Sequence, residues 1–285
     1  MNVRKNDLKL LNNSLSSKQS KLLMLYGHKE SSLEATLDEF FDTNTGFYYD
    51  AVPASETEQR LLLERAYERM VGEPFKAAET DGDPFDEAAS KKYFKASILD
   101  IFNVLPEKKI IIFNDASYII RKEKGFLEAL KEIVGEDLVE ALIIVAVSDV
   151  VWFEENFVED NTALKNVRHE IVRFDEWRFV DVAQAFPEYP VDELIRLYGV
   201  FGGYYGYLDK IDISKTVQDN IIELLISKKG ILHDMPQNFL KRHLREVAVY
   251  NSILARIADG NHKLNDIFST TGFSRAKISV YMKNL

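Results

Sequence analysis

The stretch Leu22-Leu23-Met24-Leu25-Tyr26-Gly27-His28-Lys29-Glu30-Ser31-Ser32-Leu33-Glu34 decides the fold. Its first five residues are an unbroken apolar run without alternation, the pattern of a parallel strand covered on both faces. Gly27 closes the run. Leu33, Leu37, Phe40 and Phe41 then recur at helical spacing, so residues 31–41 read as a helix. A strand, a glycine turn and a helix open a doubly wound sheet, in which ligands sit beyond the carboxyl ends of the strands.

Residues 47–51 read as a short aromatic strand. Ser55-Glu56-Thr57-Glu58 is a capping box opening a helix to about residue 70. Residues 72–86 are rich in Gly, Pro and acids and read as a loop. A helix over 87–104 follows, stopped by Pro106. Ile110 to Phe113 form a buried strand closed by Asn114-Asp115. A helix over 125–134, a strand over 141–147 and an extended piece over 170–174 complete the alternation. The expected fold is α/β, a mainly parallel sheet with helices on both faces. From residue 175 the pattern turns helical, with helices expected over 175–186, 191–198, 214–227, 239–259, 263–269 and 274–284.

The turn after the first strand is where a phosphate loop belongs. Such a loop needs glycines for close backbone approach, a Lys at the helix start, and a hydroxyl for magnesium. Here only Gly27 is in place. Ser32 stands for the second glycine, Leu33 for the Lys and Glu34 for the Ser or Thr, leaving His28 and Lys29 as the nearby cations against Glu30 and Glu34. Two unit charges about 4 Å apart interact by ~4 kcal/mol at an effective dielectric of ~20. Exchanging a Lys and a hydroxyl for a Leu and a Glu therefore removes several kcal/mol of triphosphate affinity. Glu34 also satisfies the positive end of its own helix.

The chain has 285 residues, no Cys, 36 Lys+Arg and 46 Asp+Glu. Without Cys there is no disulfide scaffold, thiolate metal site or thiol nucleophile. Residues 1–21 are polar without a signal-type apolar stretch, and no run is long enough to span a bilayer. A cytoplasmic protein with no membrane partner is expected. The net charge of −10 argues against non-specific coating of nucleic acid. That charge is uneven: residues 241–285 hold eight basic and three acidic residues, leaving −15 on the first 240. The five His are scattered without metal-ligand spacing, so no metal site is expected. Asp81, Gly82, Asp83 and Asp86 lack the closing Glu of a calcium loop. No nucleophile elbow or triad spacing is present.

Tyr26-Gly27, Phe47-Tyr48-Tyr49-Asp50-Ala51, the run from Ile110 to Tyr118, and Tyr198-Gly199-Val200-Phe201-Gly202-Gly203 occur in an order that resembles the prokaryotic "archaeal ATPase" family of AAA+-like P-loop ATPases. The runs from Leu244 to Leu254 and from Gly260 to Ile267 are similar to the start of that family's winged-helix module. The resemblance implies a P-loop domain over 1–174, a helical lid over 175–235 and a winged-helix-type module over 236–285. It makes Gly27, Lys29, Ser32, Leu33, Glu34 and Asn114 the nucleotide-binding positions and puts Asp115 in the place of the catalytic Walker B Glu. It also puts the Arg that follows the sensor strand near Val167-Arg168. Both motifs depart from the family: Ser32-Leu33-Glu34 replaces Gly-Lys-Thr, and Asn114-Asp115 replaces Asp-Glu, so magnesium loses a charged ligand. Tyr198 to Tyr207 can serve packing and a tight turn or stack a base.

The last two helices have helix-turn-helix proportions around Thr270-Thr271-Gly272-Phe273. Ser274 can cap the second, and Arg275, Lys277, Ser279 and Lys283 can reach a phosphate backbone. The chain stops at Leu285, where a wing hairpin is expected to begin. Three functions stay open at this point. The first is an ATPase homologue with a decayed site and no cofactor, binding or regulating a protein partner. The second is a weak ATP–magnesium binder or slow ATPase using a rearranged loop. The third is a DNA-binding regulator acting through the C-terminal module.

Overall fold

A computed structural model describes residues 3–16, 20–75, 83–84, 86–105, 109–159, 161–165 and 167–285. Five parallel strands, β1 (Lys21–Gly27), β2 (Phe47–Asp50), β3 (Lys109–Asn114), β4 (Ala141–Val147) and β5 (His169–Phe174), pair in the order β2-β3-β4-β1-β5. Every residue of β4, and all but the first of β1 and β3, is buried. Successive residues face opposite sides of the sheet. Met24, Tyr26, Ile111, Phe113, Ile143 and Val145 therefore share one apolar cluster, and Leu23, Leu25, Ile110, Ile112 and Ile144 share the other.

Helices cover both faces. On the chain's way to β3 come α1 (Lys5–Leu15), α2 (Leu33–Asp42), α3 (Glu56–Val71) and α4 (Glu87–Val104), followed by α5 (Ser117–Ile120) and α6 (Lys124–Gly135). Helices α4 and α6 cover the first face through Phe94, Ile98, Phe126 and Leu130; α1 and α2 cover the second through Leu11, Leu37 and Phe40. Helix α1 is absent from the sequence expectation. Leu8, Leu11 and Leu15 are diluted by Lys and Asn, and so short a helix forms only because Leu11 is wholly buried against the sheet. Ser55 caps α3 by accepting from the Glu58 amide at 3.3 Å, and Asp86 caps α4. Pro106, Asp81 and Gly82 lie outside the described residues.

After β4, α7 (Val150–Phe153) runs on as a π-helical turn over Glu154–Glu159, and α8 (Phe179–Ala185), α9 (Val191–Phe201) and α10 (Tyr205–Leu208) follow β5. The chain divides into two compact units, Met1–Ile211 and Asp212–Leu285. The second contains α11 (Val217–Ile221) with a π-helical continuation over Ile222–Ile226, then α12 (Met235–His243), α13 (Val247–Ala258), α14 (Leu264–Thr271) and α15 (Arg275–Lys283). The single helix expected over 239–259 is broken. Glu246 adopts φ 53°, and its carboxylate takes the Lys277 ammonium at 3.0 Å and the Tyr281 hydroxyl. A contact from α15 thus sets a corner that carries no Gly or Pro. Val249, Ile253, Ile267 and Ile278 form the core of this unit. Among the described residues no helix is long and apolar enough to cross a membrane.

Candidate functional site

The parallel registers bring Gly27 at the end of β1, Asn114 and Asp115 at the end of β3, and Ser148 after β4 to one edge of the sheet. With His28, Lys29, Leu33 and Glu34 they line a cleft of about 20 Å³, roughly the space of one water. Leu33 is 5% exposed.

The loop that forms this cleft is tied from within. The Ser31 amide donates to the His28 carbonyl at 2.8 Å, and the Leu33 amide to the Ser31 hydroxyl at 3.3 Å. The Gly206 amide, at the start of α10, donates to the Glu30 carbonyl at 2.9 Å. Ser32 is buried, with its hydroxyl 3.5 Å from a carboxylate oxygen of Asp7 on α1. A Cβ on Gly27 would lie 2.7 Å from the Phe174 carbonyl oxygen and 2.9 Å from the Ser31 hydroxyl, so the strand and the loop themselves require this glycine.

The electrostatics are acidic. Asn114 donates through Nδ2 to Asp50 at 2.8 Å, and the Ser148 hydroxyl donates to Asp115, which is held in the left-handed region at φ 46°. Partial desolvation and the neighbouring Asp38 raise the Glu34 pKa; Lys29 works against that rise, and Asp115 and Asp50 add to it. Desolvation and Asp50 likewise raise Asp38. Burial and these same carboxylates push the Tyr48 phenol far up. Lys29 is exposed, and its charge acts on Glu34.

The structure therefore gathers Gly27, Lys29, Leu33, Glu34, Asn114 and Asp115, with Ser32 just behind the loop. Ser148, and Asp50 to which the sequence motif gave no site role, join them through strand register. Arg168 does not. It precedes β5 at the opposite edge of the sheet, donating to the Ser20 carbonyl at 3.1 Å and pairing with Asp137 at 3.2 Å. Arg173, by contrast, lies near the carboxyl end of β5, paired with Glu154 and Asp175. The Tyr198–Tyr207 region packs: a Cβ on Gly203 would fall 1.9 Å from the Trp177 carbonyl oxygen, and the Trp177 amide donates to the Gly203 carbonyl. Among the described residues no group of three or more His, Asp or Glu forms a metal-holding cluster.

In the second unit Gly272 at φ 73° ends α14, and Ser274 caps α15 by accepting from the Lys277 amide at 3.2 Å. Arg275 and Lys283 are exposed and Ser279 is half-buried. Arg275 also lies 5.3 Å from the Phe268 ring, and Lys277 is engaged by Glu246.

No known family profile matches the sequence. An uncharacterized protein of Methanocaldococcus jannaschii is 23% identical over 284 residues, which are 99% of this chain and 60% of that protein. The chain thus spans about three fifths of that relative's length. The Walker-type ATPase of Pyrococcus abyssi superimposes with a TM-score of 0.60 at 15% identity, covering 100% of this chain and 89% of that one. The chain has the fold of a P-loop, Walker-type ATPase.

Proposed function

We propose that this ATPase-fold chain is a homologue of the AAA+-like ATPases whose nucleotide site has decayed, and that it acts as a binding or regulatory protein for a protein partner. The observation that carries this reading is the cleft at Gly27. It leaves room for about one water, with Leu33 and Glu34 where a triphosphate requires a cation and a hydroxyl. Asp50, Asp115 and Asp38 around it disfavour any further anion. Magnesium and ATP do not fit these residues as they stand. The division into a P-loop domain over 1–174, a lid over 175–235 and a winged-helix-type module over 236–285 belongs to the same proposal. Calorimetric titration with ATP and magnesium tests it. The expected result is no saturable binding below about 1 mM, and micromolar binding overturns it.

One observation favours the weaker reading of residual ATP binding. A second cleft of about 380 Å³ lies between the start of α1 and α8, lined by Arg4, Asn6, Trp177 and Asp181 among others. The buried Trp177 indole N–H meets no acceptor among the described residues. If this cleft takes the base while the phosphate loop is dead, adenosine and ATP bind equally. A hundredfold preference for ATP instead supports a working loop.

A third reading, DNA binding through α15, has the capped helix-turn-helix with Arg275 and Lys283 exposed in its favour. A salt series separates it from the others, because phosphate neutralisation makes affinity fall steeply with salt. Charge reversal at Arg275 and Lys283 should abolish that binding. Replacing Lys277 reports instead on the Glu246 corner.

A further inference from the structure

The segment Arg121-Lys122-Glu123-Lys124 follows α5 and reads in the sequence as mixed charge. The fold sorts it. Glu123 is 1% exposed and turns inward, where its two carboxylate oxygens each accept from Arg60 at 2.7 Å and one accepts from the Ser90 hydroxyl at 2.8 Å. Only the three cations of this segment face water. Lys122 and Lys124 are exposed and make no ion pair among the described residues. Arg121 is held in place: its guanidinium lies 4.5 Å from the Trp152 ring centroid and 2.5 Å from Asp149. An arginine carries five N–H donors, so the pair with Asp149 leaves others available.

Beside this segment is a cleft of about 430 Å³ bounded by Pro53, Ala54, Tyr118, Arg121 and Lys122, within the usual size range of small-molecule sites. Pro53, Ala54 and the half-buried Tyr118 ring supply an apolar wall, and Arg121 and Lys122 supply the charge. The cleft sits beyond the carboxyl ends of β2 and β3, where ligands of parallel sheets bind. It belongs to a unit whose residues sum to −14. Such a unit repels a long polyanion but tolerates a small one at a local cationic site.

We propose that this cleft binds a small organic anion, a carboxylate or a phosphate ester carried on an apolar or aromatic body. The anion sits against Lys122 and the free donors of Arg121, and the body lies along Tyr118 and Pro53. Asp149 competes with the ligand for Arg121. The site is independent of the state of the cleft at Gly27.

The test is a titration of the isotopically labelled full chain, followed by NMR, with phenyl phosphate and benzoate as probes and inorganic phosphate and phenol as controls. Both aromatic anions, or one of them, should shift the resonances of residues 118–122 and the Trp152 indole with a Kd of about 1 mM. The stronger probe tells whether the natural ligand is a phosphate ester or a carboxylate. Lys122→Glu should weaken binding about tenfold without changing thermal stability. Asp149→Asn, which keeps a residue able to cap α7, should tighten it several-fold. The proposal fails if neither probe shifts these resonances at about 10 mM. It fails equally if Lys122→Glu binds as the parent does, or if inorganic phosphate binds as tightly as phenyl phosphate.

Discussion

The cleft at the end of β1 and the cleft at the end of β2 lie along one edge of the same parallel sheet, yet they differ in both charge and room. At the first, Glu34 and Asp115 line a space of about 20 Å³ beside Lys29, and Asp38 and Asp50 add negative charge that Glu34 feels. At the second, the single acid of the neighbouring segment is drawn into the core by Arg60, and a space of about 430 Å³ is left to cations and an apolar wall. The sign of a cleft follows from which charges the fold withdraws from water, more than from which ones the local sequence contains.

The comparison breaks most easily at Arg60. Arg60→Met leaves Glu123 buried without its partner, and such a loss costs about 3–5 kcal/mol, to be read as a lower denaturant midpoint. A cost below about 1 kcal/mol would mean that Glu123 reaches water, and the cationic character of residues 121–124 would go with it. At the other cleft, the combined change Ser32→Gly, Leu33→Lys and Glu34→Thr should raise ATP affinity on the order of a hundredfold, about 2.7 kcal/mol, measured by calorimetry. No gain would place the loss in the loop backbone, with its ties to Ser31 and Gly206, and not in the side chains.

A smaller effect is expected at Asn114. Asn114→Asp sets a second carboxylate within hydrogen-bond distance of Asp50 and should cost about 1–2 kcal/mol at neutral pH. Adding Asp50→Asn should restore most of it in a double-mutant cycle. The smallest effect sharpens the acidity of the cleft. Desolvation and Asp38 raise the Glu34 pKa in the folded state. Its contribution to stability is therefore full below the ordinary carboxylate value and is lost as pH rises through the raised one. Glu34→Gln should stabilise the protein by about 0.5 kcal/mol at pH 7, held to that size by solvent screening. The gain should vanish toward pH 4, and a gain independent of pH would show that charge is not its cause.

Much of the α/β unit is legible in the sequence because its strands are apolar on both faces. Leu22 to Tyr26, Ile110 to Phe113 and Ala141 to Val147 need no partner to be recognised, and Ser55 and Ser274 announce their helices by local capping chemistry. Helix α1 is not legible, since Leu11 gains its burial only from a sheet formed elsewhere in the chain. The corner at Glu246 is invisible for the same reason: it rests on Lys277 and Tyr281, some thirty residues away. At the candidate site, the loop positions from Gly27 to Glu34 are contiguous and could be read directly. Ser148 and Asp50 come from separate strands, and only the register β2-β3-β4-β1 sets them beside Asp115 and Asn114.

The amino-acid order alone determined that a parallel sheet forms, that its first turn lacks the lysine and hydroxyl of a phosphate loop, and that positive charge gathers toward the C-terminus. Those properties depend on side-chain type and near-neighbour spacing. Tertiary structure decided how little space remains beside Gly27, that Arg168 lies at the wrong edge of the sheet, and that Glu123 hides while Lys122 does not. Each of these depends on burial and on pairing between residues distant in the chain, and desolvation decides which charges the solvent meets.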